Sequence, residues 1–264
     1  MAQRLDTAMG VDAPRHLSNT PMTDEEWQVR VELAAAYRLA ARNGWDEIIY
    51  NHISARVPGP EEHFLLNPFG LSFDEVTASN LVKIDLDGNI IGHSDYPINS
   101  AGYTIHSAIH SARHDVGCVL HLHTEAGTAI SMLEEGLLPL SQTAMLFYGR
   151  IAFHEYEGVA LDLGERQRLI EDLGDKSIMI LRNHGTLVAG RNVGDAFVQM
   201  ALLEKACTSQ LHAMACNVKL HTAPESVPAG VARSMAKPPR YGGTDTAWKA
   251  MMRRLDRVDT GYRN

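Results

Sequence analysis

The sequence predicts an α/β fold, a three-layer α/β/α sandwich built around a mostly antiparallel sheet. Two features of the 264-residue chain predict it. In the first half, short apolar runs are bounded by proline and glycine, and Asp87-Gly88 between two such runs is a strong signal for a hairpin of antiparallel strands. From Gly102 onward the apolar spacing becomes helical, and helices alternate with short buried strands. Helices on both faces of such a sheet give three layers.

The individual elements follow from their boundaries. The first helix begins at Thr23-Asp24-Glu25-Glu26, which has the pattern of a capping box, and ends at Asn43-Gly44, where glycine favours termination. Strands are then predicted over residues 48–57, 63–67, 81–86 and 89–91. The second half is predicted as helices over 103–113, 124–135, 165–173 and 193–216, and strands over 116–123, 151–154 and 177–182.

One domain is expected over residues 23–220, because no interior linker is evident. Residues 1–22 show no periodic pattern and are predicted to be a flexible N-terminal arm. Residues 221–264 form a tail that is too rich in proline and glycine for a core element. Within it, a short amphipathic helix near residues 246–255 is expected to dock on the domain or on a neighbouring subunit.

Composition excludes several classes of function. The hydrophobic content of 45% and charged content of 21% are typical of a soluble globular protein. The net charge of −8 argues against a nucleic-acid partner, since phosphate binding requires clustered Lys and Arg. No apolar run is long enough to cross a bilayer, so no membrane association is expected. Three cysteines are too few for a disulfide framework, and the absence of a signal sequence favours a cytoplasmic location.

The motif His121-Leu122-His123 closes a predicted strand, and residues two apart on a strand point to the same face. His184 ends the apolar run 177–181, so three histidines converge if the two strands are neighbours. Three imidazoles with room for an exchangeable ligand are typical of catalytic zinc. Zn²⁺ is the expected cation, although Fe²⁺, Mn²⁺ and Co²⁺ suit the same nitrogens. The alternative is that the histidines are hydrogen-bonded core residues or subunit contacts.

Three motifs in order closely resemble the class II aldolase/adducin family. They are Asn99-Ser100-Ala101-Gly102-Tyr103-Thr104-Ile105-His106, Val119-Leu120-His121-Leu122-His123-Thr124 and Leu181-Arg182-Asn183-His184-Gly185, within a similarity over residues 23–215. The resemblance implies the class II aldolase-like α/β/α fold and a divalent metal at the positions of His121, His123 and His184. It also implies a homotetramer with sites at subunit interfaces. The family's aldolases perform retro-aldol cleavage of a phosphorylated sugar, in which a glutamate moves the proton.

The chain departs from the aldolase pattern at three places in the expected pocket. The aldolases' Ser-Ser-Glu is Ser100-Ala101-Gly102 here, and glycine cannot carry a proton. Their Gly-Asn-x-Ser is Asn51-His52-Ile53-Ser54, and their Pro-Ser/Thr-Gly is Pro68-Phe69-Gly70. Groups that would bind phosphate are therefore lost, while the three histidines remain. This combination resembles the adducin-like branch of the family.

The expected function is a metal-dependent lyase-type reaction, aldol C–C cleavage or decarboxylation, on a small oxygenated and non-phosphorylated substrate. His52 and Ser100 are assigned to substrate binding, with a structural role left open for His52. Glu125 or a metal-bound water is the candidate acid/base, although the place of Glu125 at a helix N-terminus is also explained by the helix dipole. The alternatives are a non-catalytic adducin-like interaction protein, an Fe²⁺-dependent oxygenase with the same histidines, and, third, a phosphosugar aldolase.

Overall fold

The structure is a computed structural model, and it describes residues 22–158, 164–235, 237 and 243–264. All of the predicted arm except its last residue, 22, lies outside the described residues. The described strands are β1 His52–Arg56, β2 Phe64–Leu66, β3 Val82–Ile84, β4 Cys118–Leu122, β5 Ile151–His154, β6 Ile178–Leu181 and β7 Gly185–Gly190. They form one sheet in the order β3-β2-β1-β4-β7-β6-β5, and β5 with β6 is the one parallel pair among these strands.

The helices cover both faces of this sheet. They are α1 Asp24–Arg42, α2 Ser100–Ala112, α3 Glu125–Ser131, α4 Gln142–Met145, α5 Glu165–Leu173, α6 Val193–Ala215, α7 Ser226–Met235 and α8 Gly243–Asp256. The predicted start of α1 is confirmed, because the hydroxyl of Thr23 accepts a hydrogen bond from the backbone N–H of Glu26 at 3.1 Å. Its predicted end is also confirmed: Gly44 follows the helix with a φ of +67°.

Alternate residues of β4 show the three layers. Cys118, Leu120 and Leu122 are buried in a core shared with α1 and α6, whereas Val119 joins a second core on the other face. That second core contains Ile105 of α2 and residues of α5. Since successive strand residues face opposite sides, the sheet lies between two helical layers. The predicted α/β/α sandwich around a mostly antiparallel sheet is confirmed.

Strand β7 was not predicted, because the glycines at its two ends indicate a turn in the sequence. It lies between β4 and β6, so the strand that precedes His184 is not a direct neighbour of β4. The glycines are required by close approach: a Cβ on Gly185 would lie 2.5 Å from the carbonyl oxygen of Leu122, and one on Gly190 would lie 2.6 Å from the backbone nitrogen of Ala196. β7 can therefore pair tightly with β4 and carry the preceding turn beside it.

Two other predicted elements differ in extent. The turn at Asp87-Gly88 forms, with Gly88 at a φ of +87°, but the strand predicted over 89–91 is reduced to a single bridge between Ile84 and Ile90. The helix predicted over 124–135 ends at Ser131.

The C-terminal region packs against the rest of the same chain. Helix α8 packs against α6, and its Trp248 is buried in this contact. A Cβ on Gly194 of α6 would lie only 2.4 Å from the indole ring of Trp248. Tyr262 is fully buried, and its carbonyl accepts a hydrogen bond from the N–H of Ala78 at 2.9 Å. Helix α7 was not predicted from this proline-rich sequence, but Pro228 lies in its first turn, where no intrahelical N–H is needed.

Among the described residues, no helix combines the length and apolar character that crossing a membrane requires.

Candidate metal centre

Three histidine side chains meet at one end of the central strands. His121 lies in β4, His123 follows that strand, and His184 lies in the turn between β6 and β7. Asn183 gives this turn its tight shape, since it adopts a φ of +54°, a conformation that asparagine tolerates. The Nε2 atom of His121 lies 2.9 Å from Nε2 of His123 and 3.3 Å from Nε2 of His184. Because β4 pairs with β7, histidines far apart in sequence share one site.

The outer nitrogens of two of these rings face hydrogen-bond acceptors. Nδ1 of His121 lies 3.0 Å from the carbonyl oxygen of Thr186, and Nδ1 of His123 lies 2.5 Å from Oε2 of Glu47. A carbonyl and a carboxylate accept hydrogen bonds, so these contacts favour a hydrogen on each Nδ1, and a neutral ring in that form presents a lone pair on Nε2. The two Nε2 atoms face each other across 2.9 Å. A cation between them would be bound by both.

Two of the three rings favour the uncharged form. Burial, and then the neighbouring histidines, hold the pKa of His121 well below its usual value. The same causes lower the pKa of His184 to about 4. Both rings are therefore neutral at pH 7, which is the state in which imidazole binds a metal.

The spacing also fits a divalent metal. The ligating atoms of the three histidines all lie within 4.8 Å of one another. A tetrahedral zinc with Zn–N bonds of about 2.0–2.1 Å separates its nitrogen ligands by roughly 3.3 Å. The observed Nε2 separations of 2.9 and 3.3 Å are close to that value. The donor set is three neutral nitrogens, which leaves a further coordination position for an exchangeable ligand.

A chain of buried hydrogen bonds runs from His52, whose ring centroid lies 5.3 Å from that of His121, into the layer beneath α2. His52 pairs with His121 across β1 and β4, and its Nδ1 lies 2.8 Å from Nε2 of His106. Nδ1 of His106 lies 2.6 Å from the hydroxyl of Ser54, which lies 2.8 Å from Nε2 of His110. Burial lowers the pKa of His106 well below its usual value, and burial with the charge of Arg56 lowers that of His110 to about 3. The chain therefore holds His52 in one orientation without a charge on His106 or His110.

Gly102 leaves the space that His52 fills. A Cβ at Gly102 would lie 2.6 Å from Cδ2 and 2.8 Å from Cγ of His52, well inside contact distance. Gly102 lies at the position where the resembling aldolases carry their proton-transferring glutamate. In this chain the ring of His52 occupies the space beside it, and His52 is only 3% exposed.

The other predicted site residues lie near this cluster but are exposed. Ser100 is the first residue of α2, two residues before Gly102, and Glu125 is the first residue of α3, two residues after His123. Two further residues reach the site and were not predicted from the sequence: Glu47, which contacts His123, and Tyr156, whose ring centroid lies 5.9 Å from that of His184. Neither lies in a recognisable motif, since both reach the site from loops.

Known proteins similar to this chain include both aldolases and adducins. A solved structure of an aldolase II superfamily protein from Pseudomonas syringae is 53% identical, with a TM-score of 0.88 over 92% of this chain and 98% of that one. L-fuculose 1-phosphate aldolase from Glaciozyma antarctica PI12 is 29% identical, with a TM-score of 0.78 over 93% of this chain and 97% of that one. Alpha-adducin of Rattus norvegicus is 41% identical over 251 residues, which are 89% of this chain and 34% of the adducin.

The family described as "Class II Aldolase and Adducin N-terminal domain" matches residues 31–211, which is more than half of the chain. The fold, the order of the motifs and the relatives agree with this match. The chain belongs to the class II aldolase/adducin family.

Proposed function

We propose that the protein is a metal-dependent lyase-type enzyme acting on a small, oxygenated, non-phosphorylated substrate. The observation that carries this proposal is the convergence of three Nε2 atoms, with that of His121 2.9 Å from that of His123 and 3.3 Å from that of His184. Such a set of nitrogens fits a bound cation, and three imidazoles leave a position open for a substrate oxygen. The reaction is either aldol-type C–C cleavage or decarboxylation.

The proposed ligands are His121, His123 and His184, and the proposed cation is Zn²⁺. Fe²⁺, Mn²⁺ and Co²⁺ accept the same donor set, so the ligand chemistry alone does not choose among them. When bound, such an ion supplies Lewis acidity, which stabilises negative charge on a substrate oxygen.

The departures from the aldolase pattern support a substrate without phosphate. The three phosphate-binding positions that differ are His52, Phe69 and Ala101, and none of these residues restores the missing amide or hydroxyls. His52, oriented by its contact with His106, is proposed to bind a polar group of the substrate, and Ser100 to bind a second one. Turnover of a sugar 1-phosphate, the substrate named for the Glaciozyma relative, would contradict this part of the proposal.

Decarboxylation fits the absence of a glutamate at position 102. Departure of CO₂ requires that electrons be accepted by the neighbouring carbonyl, but it requires no base to remove a proton from carbon. For aldol cleavage a proton must leave the substrate hydroxyl, and Glu125 is the proposed acid/base. Replacing Glu125 with Gln is expected to abolish aldol cleavage and to leave decarboxylation nearly unchanged, so this variant separates the two reactions.

We also propose a cytoplasmic homotetramer whose partner is a small molecule. Exposed apolar side chains near the centre support a subunit contact there: Tyr156 is 54% exposed beside His184, and Ile48 is 72% exposed next to Glu47. Sedimentation of the purified protein tests the tetramer.

The decisive experiment is elemental analysis of the purified full-length protein, followed by assays against a panel of hydroxy- and keto-acids. We expect about one divalent metal per chain and turnover of at least one acid, and we expect His121→Ala to remove both. A folded wild-type protein that binds no metal after reconstitution would contradict the proposal.

A second candidate is a non-catalytic interaction protein, which the similarity to alpha-adducin favours. Unchanged assembly and stability in His121→Ala, without turnover in the wild type, would support this candidate. An Fe²⁺-dependent oxygenase is a variant of the first proposal, and oxygen consumption by the iron-loaded protein would distinguish it.

A further inference from the structure

Glu47 is the carboxylate that contacts the histidine cluster from outside. Its Oε2 lies 2.5 Å from Nδ1 of His123, on the side of the ring opposite the other two histidines. The Glu47 side chain is about half exposed, and it lies on the loop between α1 and β1. Glu47 therefore contacts a proposed metal ligand, His123, and is not itself a proposed ligand.

The backbone of Glu47 is fixed on both sides. Its N–H donates to the side-chain oxygen of Asn51 at 2.7 Å, and its carbonyl accepts from the N–H of Tyr50 at 2.9 Å. The start of the loop is held by Trp45, whose N–H donates to Ala40 at 3.0 Å and whose ring packs against a phenylalanine of α6. The fold therefore fixes the backbone from which the Glu47 side chain reaches His123.

This turn contains two unfavourable features. Ile48 adopts a φ of +55°, which is rare for a β-branched residue, and its side chain is 72% exposed within this chain. Asn51 is fully buried, and its Nδ2 has no hydrogen-bond partner among the described residues. Backbone strain and unpaired buried groups of this kind are concentrated at functional sites. Both features lie in the turn that carries Glu47, whose carboxylate contacts His123.

We propose that Glu47 is a positioning residue that tunes the affinity of this centre for its cation. The proposal rests on the metal binding described under the proposed function. The carboxylate fixes the hydrogen of His123 on Nδ1 and so presents the Nε2 lone pair to the cation. It also places a carboxylate against the histidine cluster, which makes the bound ring a stronger donor. Carboxylates that contact metal-ligating histidines in this way typically raise metal affinity by about 10–100-fold.

The test measures Zn²⁺ affinity of the full-length protein by competition with a chromophoric chelator. Glu47→Ala removes both the hydrogen bond and the charge, and we expect it to weaken Zn²⁺ binding by about 10–100-fold. Glu47→Gln keeps an acceptor oxygen but removes the charge, and we expect an intermediate loss. Asp46→Asn removes the same charge one residue earlier in the chain and is the matched control, with affinity expected to stay within about threefold of the wild type.

A second readout separates positioning from a general structural role. With Co²⁺ in place of Zn²⁺, the visible absorption spectrum reports the ligand geometry, and we expect it to change in Glu47→Ala but not in Asp46→Asn. Wild-type affinity and an unchanged Co²⁺ spectrum in both Glu47 variants would overturn this inference while leaving the proposed function intact. A wild-type protein that binds neither ion would overturn the proposed function and this inference with it. Circular dichroism of the metal-free variants verifies that they fold.

Discussion

Replacing Gly102 with alanine tests whether His52 fills the space beside the metal centre. The new Cβ would lie 2.6 Å from Cδ2 and 3.0 Å from Nε2 of His52, whereas carbon atoms in contact are separated by about 3.5–4.0 Å. The ring cannot retreat easily, because its Nδ1 is bonded to His106 at 2.8 Å and the residue is 3% exposed. Overpacking of this kind costs about 1–3 kcal/mol.

The control for this substitution is Gly230→Ala. Gly230 is also helical, in α7, but a Cβ there would meet its nearest neighbour at an ordinary 3.8 Å. Alanine stabilises a helix interior by about 0.5–1 kcal/mol relative to glycine, and this gain is common to both variants. The difference between the two therefore isolates the contact with His52.

Urea denaturation of the metal-free proteins gives the required free energies of unfolding. We expect Gly102→Ala to be less stable than Gly230→Ala by about 1–3 kcal/mol with an unchanged denaturant slope. Combining Gly102→Ala with His52→Ala should relieve the crowding, and the double-mutant cycle should show a coupling of about 1 kcal/mol or more. If Gly102→Ala is as stable as Gly230→Ala and the coupling is zero, His52 does not constrain position 102 and the reasoning is wrong.

Three further predictions concern buried ionisable groups. The pKa of His110 is lowered to about 3, so between about pH 3 and pH 6.5 this residue is neutral in the folded protein and protonated in the unfolded chain. The folded state therefore loses stability as the pH falls below about 6.5. His110→Gln should reduce the slope of the free energy of unfolding against pH by up to about 1.4 kcal/mol per pH unit, measured by urea denaturation at pH 4–6. Burial raises the pKa of Glu204, so the wild-type protein loses stability as the pH rises above about 4.5. The stability of Glu204→Gln relative to the wild type should therefore be greater at pH 7 than at pH 4. The same stability difference between variant and wild type at both pH values would contradict this. Arg30 pairs with the buried carboxylate of Glu26 at 3.0 Å and donates to the carbonyl of Leu81 at 2.9 Å. Arg30→Met should lower the free energy of unfolding by about 3–5 kcal/mol, measured by thermal or urea unfolding. A loss below about 1 kcal/mol would show that Lys83 alone is enough to balance the charge of Glu26.

Local sequence signals predicted the elements whose ends are marked by side chains. The capping residue Thr23 and the strand run 151–154 correspond to the observed boundaries, since each depends on residues close in sequence. Strand β7 was missed because its glycines are required by contacts with Leu122 and Ala196, which lie elsewhere in the chain. The same glycines seen alone indicate a turn.

The candidate site likewise contains residues that local sequence predicts and residues that depend on contacts distant in sequence. The spacing of His121 and His123 on one strand predicted that they share a face, and the register of β4 with β7 then brought His184 to them. Glu47 could not be identified in this way, because its contact with His123 depends on how the loop between α1 and β1 is anchored. The role of Gly102 likewise depends on the ring of His52, fifty residues earlier in the sequence.

The two halves of the histidine cluster come from segments about sixty residues apart, the end of β4 and the hairpin of β6 and β7. A cation bound there would act as a cross-link between them and would oppose separation of this hairpin from the centre of the sheet. Since an ion that binds only the folded form stabilises it by mass action, about 2.7 kcal/mol at a hundred times its dissociation constant, local opening of the hairpin would respond to the free metal concentration. Supply of the metal would then determine both the number of competent molecules and how long each survives proteolysis.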